Sequence, residues 1–249
     1  MTMLRCDALS KRFDGTQALV GVTARFPASG IIAVIGPNGA GKTTLINVLT
    51  GSLMADSGRC FLGDRDITRL RPHRVARLGL TRTFQDLRLI RQVSVLENVM
   101  LARPNQRGEK LWAALVRFGT STEEACTREA SLRTLELVGL RHKAGDLAGE
   151  ISYGQQKLLA LACCLATEPR VLLLDEPVAG VHPELVGRIL ELMRELRDGG
   201  RLIIFVEHDI AAVRQVADSV IVMDDGRIIA QGPPDQVLQR PEIMEAYVG

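Results

Sequence analysis

Apolar positions along the chain change period several times, and each change predicts an element. Gly30–Gly36 (GIIAVIG) is apolar throughout, as a parallel strand covered on both faces would be. Ala18–Phe26 (ALVGVTARF) alternates in part, which predicts a half-buried strand. Thr43–Gly51 (TTLINVLTG) reads as a helix closed by its last glycine. RCFLGDRDI predicts a short strand and turn. From about Leu87 to Glu150 the pattern becomes helical; in TEEACTREASLRTLELVGL, Leu132, Leu135 and Val138 fall on one face. Strand runs resume at Arg170–Asp175 (RVLLLD) and Arg201–Glu207 (RLIIFVE). A helix predicted over Pro183–Arg197 joins them in a βαβ crossover. SVIVMDDGRIIAQG reads as a hairpin turning at Asp225-Gly226, and the final PPDQVLQRPEIMEAYVG as two short helices. The result is an α/β chain with a helical insertion and no internal repeat.

Composition narrows the class. Lys+Arg 31 against Asp+Glu 29 leaves +2 on 249 residues, a balance that calls for no nucleic-acid partner. The 5 cysteines are scattered without a CxxC, and the 4 histidines form no HExxH, so neither a disulfide frame nor a protein-only metal site is expected. MTMLRCDALSKRF lacks the apolar segment of a signal peptide. The longest apolar run, Leu158–Ala166, falls far short of the ~20 residues that span a bilayer.

Chemistry enters at Gly36–Thr43, GPNGAGKT, which fits G-x-x-x-x-G-K-[ST] between a predicted strand and a predicted helix. Glycines at 36, 39 and 41 let backbone amides turn toward a phosphate at a helix N-terminus. Lys42 can reach the β- and γ-phosphates, and the Thr43 hydroxyl can ligate Mg²⁺. Asp175 and Glu176 end the run RVLLLDE. At the carboxyl edge of a parallel sheet they would stand beside the same phosphates, Asp175 for Mg²⁺ and Glu176 for the attacking water. The simpler alternative for such acids is a solvated turn.

At Ile151–Gln156, ISYGQQ resembles the signature motif, usually LSGGQ, of the ATP-binding cassette (ABC) ATPases, placed just upstream of LLLDE as in that family. Further pieces follow the family's order: TFQD with Gln85 resembles the Q-loop, AGVH the D-loop, and VEHD with His208 the switch histidine. Phe13 resembles the aromatic that stacks on adenine. The resemblance covers essentially the whole chain. It implies a P-loop NTPase (RecA-like) core with an antiparallel β subdomain, residues 1–86 and 157–249, and an inserted α-helical subdomain, 87–156, ending in the signature. It implies ATP bound by Phe13 and by Gly36, Pro37, Asn38, Gly39, Ala40, Gly41, Lys42, Thr43 and Thr44. Mg²⁺ would be held by Thr43, Gln85 and Asp175. Glu176 would be the general base, with His208, Gln85 and Lys42 completing the catalytic set. Ser152, Gly154 and Gln155 would meet the γ-phosphate held by a second subunit in a head-to-tail dimer. Tyr153 departs from the usual glycine and is expected to point outward.

RTFQDLRLIRQVSVLENVMLA, the SYGQQ variant and the terminal EAYVG resemble the ATPases of branched-chain amino-acid uptake systems and their relatives for amides. That implies a peripheral protein on the cytoplasmic face of the inner membrane. Its partners would be integral-membrane permease subunits, a second ATPase subunit (a paralogue or a copy of itself) and, indirectly, a periplasmic solute-binding protein. Leu87, Leu89, Ile90 and Val93 offer apolar side chains for helix-in-groove docking. Three other readings compete: an exporter ATPase for lipid or lipopolysaccharide, a non-transport ABC ATPase acting on ribosomes or DNA, and a small-molecule kinase. Single-cassette length and the near-neutral charge count against the second, and ISYGQQ against the third. Arginines at 65, 69, 71, 74, 77, 82, 88 and 91 read most simply as a solvated basic face, the alternative being contact with membrane subunits or lipid. His182 stands where this family usually has Asp, and in this branch often Asn. It reads as a neutral stand-in, or else as a pH-sensitive contact with the partner.

Overall fold

The computed structural model describes residues 2–83, 88–104, 120–240 and 243. The chain divides into two units, Met1–Gln85 with Pro169–Gly249, and Asp86–Glu168.

In the first unit, β1 (Thr2–Phe13), β2 (Thr16–Pro27), β4 (Ser57–Leu62) and β5 (Arg65–Asp66) form an antiparallel sheet in the order β2-β1-β4-β5. A second sheet contains β3 (Gly30–Ile35), β6 (Leu80–Arg82), β7 (Val171–Asp175), β8 (Leu202–Val206), β9 (Ser219–Asp224) and β10 (Arg227–Gly232), in the order β10-β9-β3-β8-β7-β6. It is parallel except for the β9–β10 hairpin. That hairpin turns at Asp225-Gly226, both at positive φ, as a two-residue turn matched to strand twist requires.

Every residue of β3, β7 and β8 is buried, which is why those runs are apolar without alternation. The register sets Val34 and Asp175 both against Val206, so the three strands end together. α1 (Lys42–Leu49) follows β3, and α6 (Pro183–Asp198) makes the crossover from β7 to β8. One core cluster joins both sheets to α1: Leu4, Leu9, Leu19 and Phe26 meet Val34, Leu173 and Ile204, with Leu45, Ile46 and Leu49 of α1 among them. α1 is thereby fixed at the strand ends. α2 (Pro72–Arg77), α7 (Ile210–Val216) and α8 (Pro234–Val237) complete the unit. The second expected C-terminal helix lies outside the described residues.

The second unit contains α3 (Val95–Ala102), α4 (Thr120–Leu137), a 3-10 turn at Arg141–Lys143 and α5 (Tyr153–Leu165). Leu135 and Val138 are fully buried and Leu132 partly so, bearing out the face read from the sequence. Asn98 is a buried polar anchor: its side chain accepts from the Ile90 amide and donates to the Ile90 and Ser94 carbonyls. This unit runs past the expected boundary at 156. α5 is one uninterrupted helix packed on α3 and α4, and a boundary at 156 would cut it in its first turn. Among the described residues no helix is long and apolar enough to cross a membrane.

Candidate functional site

The glycine loop is shaped by close backbone approaches. Gly36 has φ +150°, and a Cβ there would stand 2.1 Å from the Met223 carbonyl oxygen. Gly41, at φ +95°, is the N-cap of α1, and its Cβ would meet the Ala18 oxygen at 2.3 Å. Only glycine fits these two positions, where left-handed backbone and contact coincide. The hairpin supports the loop, since the Gly226 amide donates to Ala40 O at 3.2 Å and Val20 donates to Gly226 O at 2.9 Å.

Lys42 curls onto the same loop. Its buried Nζ donates to the Gly36 and Pro37 carbonyls at 2.7 and 2.8 Å. Burial pushes its pKa below the ordinary value, opposed by the charges of Glu176 and Asp175.

A cavity of about 200 Å³ lies against this loop. Asn38 to Thr44 line it, and Glu176 and His208 face them. Glu176 Oε1 is 3.5 Å from His208 Nε2. Glu176 holds φ +48°, a left-handed conformation unusual for a non-glycine residue, while its amide donates to Val206 O at 3.0 Å. The end of β8 thus fixes the backbone that aims this carboxylate. Asp175, one residue earlier, is buried behind, with its amide donating to Thr83 Oγ1 at 3.2 Å.

Phe13 is 45% exposed, with Lys11 Nζ 5.5 Å from its ring centroid, and is not among the described residues lining the cavity. In the second unit, Ser152 caps α5 with a reciprocal box: the Gln155 amide donates to Ser152 Oγ, and the Ser152 amide to Gln155 Oε1. Gly154 is buried in that first turn. Tyr153 is 50% exposed beside Lys157, pointing outward as expected. His182 is exposed and stands at the N-cap of α6 without a side-chain capping bond. Gln85 lies outside the described residues.

The sequence pattern assigns no role to two buried charges that the structure brings to these loops. Glu207, 2% exposed, accepts from the Val178 amide at 2.8 Å and from the His208 amide at 3.1 Å. It ties the segment after Glu176 to the one carrying His208. Its signal is an acid ending the run RLIIFV, the same signal that marks Asp175. The second is Arg82, which corrects the reading of the arginine-rich stretch. Arg65, Arg69, Arg71, Arg74, Arg77, Arg88 and Arg91 are exposed, but the Arg82 side chain is 7% exposed and ion-paired to Asp175.

A parallel sheet whose strand ends carry a glycine loop, combined in one chain with an antiparallel sheet and a helical unit, is the fold of the P-loop cassette ATPases. An ABC transporter family model matches residues 19–179. The high-affinity branched-chain amino acid transport ATP-binding protein LivG of Escherichia coli is 36% identical over 251 residues, covering 99% of this chain and 98% of that protein. The probable LivG of Archaeoglobus fulgidus is 38% identical over 249 residues, 100% of this chain and 96% of its own. A solved nucleotide-free ATP-binding cassette from an ABC transporter matches with TM-score 0.87 and 35% identity over 100% of both chains. A cassette in its ADP conformation matches with TM-score 0.87 and 35% identity, covering 100% of this chain and 99% of that one. The chain belongs to the ABC transporter family, and its activity is ATP hydrolysis.

Proposed function

We propose that the chain is the ATP-hydrolysing motor subunit of an importer for branched-chain amino acids or related amino acids and amides. The observation that carries this is the cavity in which Glu176 and His208 face the glycine loop, a base and a hydrogen-bonding partner set against a phosphate cradle. The LivG proteins that the chain resembles along their whole length supply the substrate class.

In this reading the loop amides cradle the phosphates, and Lys42 exchanges its carbonyl partners for phosphate oxygens. Glu176 takes a proton from the attacking water, and His208 holds that water or the γ-phosphate. The exposed Phe13 ring is available to adenine. The donor set suits Mg²⁺, which takes one or two carboxylates together with substrate phosphates rather than an all-protein cage. Asp175 and the Thr43 hydroxyl would hold it, with Gln85 as the further ligand the family resemblance implies. Bound there, the ion supplies neutralising charge to the phosphates.

Ser152, Gly154 and Gln155, at the N-terminus of α5, serve the nucleotide of a second ATPase subunit, so a complete site needs a head-to-tail dimer. The chain works at the cytoplasmic face of the membrane, docked on permease subunits. Ile90 and Leu101, 47% and 59% exposed, offer apolar contacts for them. Reconstitution with the candidate permeases and a substrate panel tests the assignment. A branched-chain amino acid or amide should stimulate ATP turnover. If only a lipid does so, the exporter reading replaces it.

A further inference from the structure

We propose that Arg82 is a positioning residue that carries the counter-charge of Asp175 within the chain and competes with the divalent cation for it. The inference deepens the ATPase reading and rests on it. Arg82 ends β6, the edge strand beside β7, and its side chain turns inward: it is 7% exposed and its partner Asp175 is 4% exposed. Nη2 meets Asp175 Oδ2 at 2.5 Å. Nη1 donates to Asn47 Oδ1 on α1, the helix that Lys42 and Thr43 open. One planar guanidinium thus spans the strand bearing the proposed metal carboxylate and the helix bearing the proposed nucleotide loop.

A carboxylate this buried is costly without a partner, and the fork geometry of Arg supplies charge and direction together. Mg²⁺, if held by Asp175, would be a second cation beside the same carboxylate. Cation and guanidinium then oppose each other at Asp175, so Arg82 weakens the metal contact while keeping the carboxylate aimed whenever the cation is absent. Lysine could supply the charge, but it lacks the second arm that reaches Asn47.

The test is thermal unfolding with ATP present, titrated with MgCl₂ from an EDTA baseline, on the wild type, Arg82→Met and Arg82→Lys. The wild type should show an Mg²⁺-dependent rise in Tm. Arg82→Met should melt lower in EDTA, gain more from Mg²⁺, and reach its half-maximal shift at roughly tenfold lower Mg²⁺, the scale on which one neighbouring charge biases a carboxylate. Arg82→Lys should titrate within about twofold of the wild type. An Arg82→Met titration superimposable on the wild type, or one needing more Mg²⁺, overturns the proposal. So does an Arg82→Lys titration displaced like the methionine variant, and this second arm decides the matter if Arg82→Met does not fold. A wild type with no Mg²⁺-dependent shift would instead count against the metal assignment itself.

Discussion

Glu207→Gln is the most discriminating single change near the site, because it keeps the shape and removes one acceptor. The carboxylate accepts two amides, from Val178 at 2.8 Å and His208 at 3.1 Å, and the residue is 2% exposed. A glutamine has one carbonyl oxygen, so whichever way its amide lies, one N–H loses its acceptor and faces an NH₂ group. The Val178 amide is the more buried of the two and should keep the oxygen. Leaving a buried donor unsatisfied costs about 1–3 kcal/mol, and the partly buried His208 amide belongs at the lower end, about 1–2 kcal/mol. Glu207→Ala removes both acceptors and should cost about 3 kcal/mol or more, a large share of the ~5–15 kcal/mol that holds a domain folded. Both amides belong to segments that position the groups proposed to react, Glu176 and His208. Turnover should therefore fall by roughly 10–100-fold, the cost of displacing such a group by a fraction of an ångström to an ångström. ATP affinity should hold, since the glycine loop is untouched. Urea unfolding and steady-state ATP hydrolysis measure both quantities. A Gln variant with wild-type midpoint and kcat would refute the idea that Glu207 couples the two loops.

Other predictions follow from the same geometry. Gly36→Ala, whose Cβ would lie 2.1 Å from a backbone oxygen, should lose about 3 kcal/mol, and Gly39→Ala, at φ +84° in open space, only about 1–2 kcal/mol; equal urea midpoints would contradict this. Glu176→Gln should lower turnover by ~10²–10⁴-fold while ATP still binds, read by single-turnover hydrolysis and nucleotide titration. Ser152→Ala should cost about 1 kcal/mol through the lost cap on α5, measured by denaturation of the nucleotide-free chain. Burial lowers the pKa of Lys42 from 10.5 in the folded chain, so the unfolded chain holds that proton to higher pH. Stability should therefore gain a rising component in alkaline solution that Lys42→Met lacks, visible in urea midpoints against pH.

The glycine loop, the paired acids and the buried strands are legible because each is local. Gly36–Thr43 carries its own spacing, and a strand covered on both faces shows as an unbroken apolar run. What stayed hidden depends on distant partners or on a broken period. β1 buries Leu4, Cys6 and Leu9, but a register shift between Cys6 and Leu9, with Ala8 at φ +50°, throws the alternation out of phase. α2 and α7 are too short for a helical period to emerge. Arg82 looks like its exposed neighbours because the carboxylate that draws it inward lies 93 residues away. A boundary at 156 follows the end of the signature motif, whereas that motif opens a helix that runs on to Leu165.

The support under the glycine loop has a consequence for biosynthesis. Its backbone rests on Ala18 on one side and on Met223 and Gly226 on the other. Those last contacts come from residues translated long after the loop itself. A nascent chain can display all of GPNGAGKT outside the ribosome and still lack the buttress that gives the loop its shape. Competence to hold ATP then arrives late and abruptly, when the β9–β10 hairpin emerges, and products truncated before residue 223 should neither bind the nucleotide nor compete for the subunits with which the finished chain assembles.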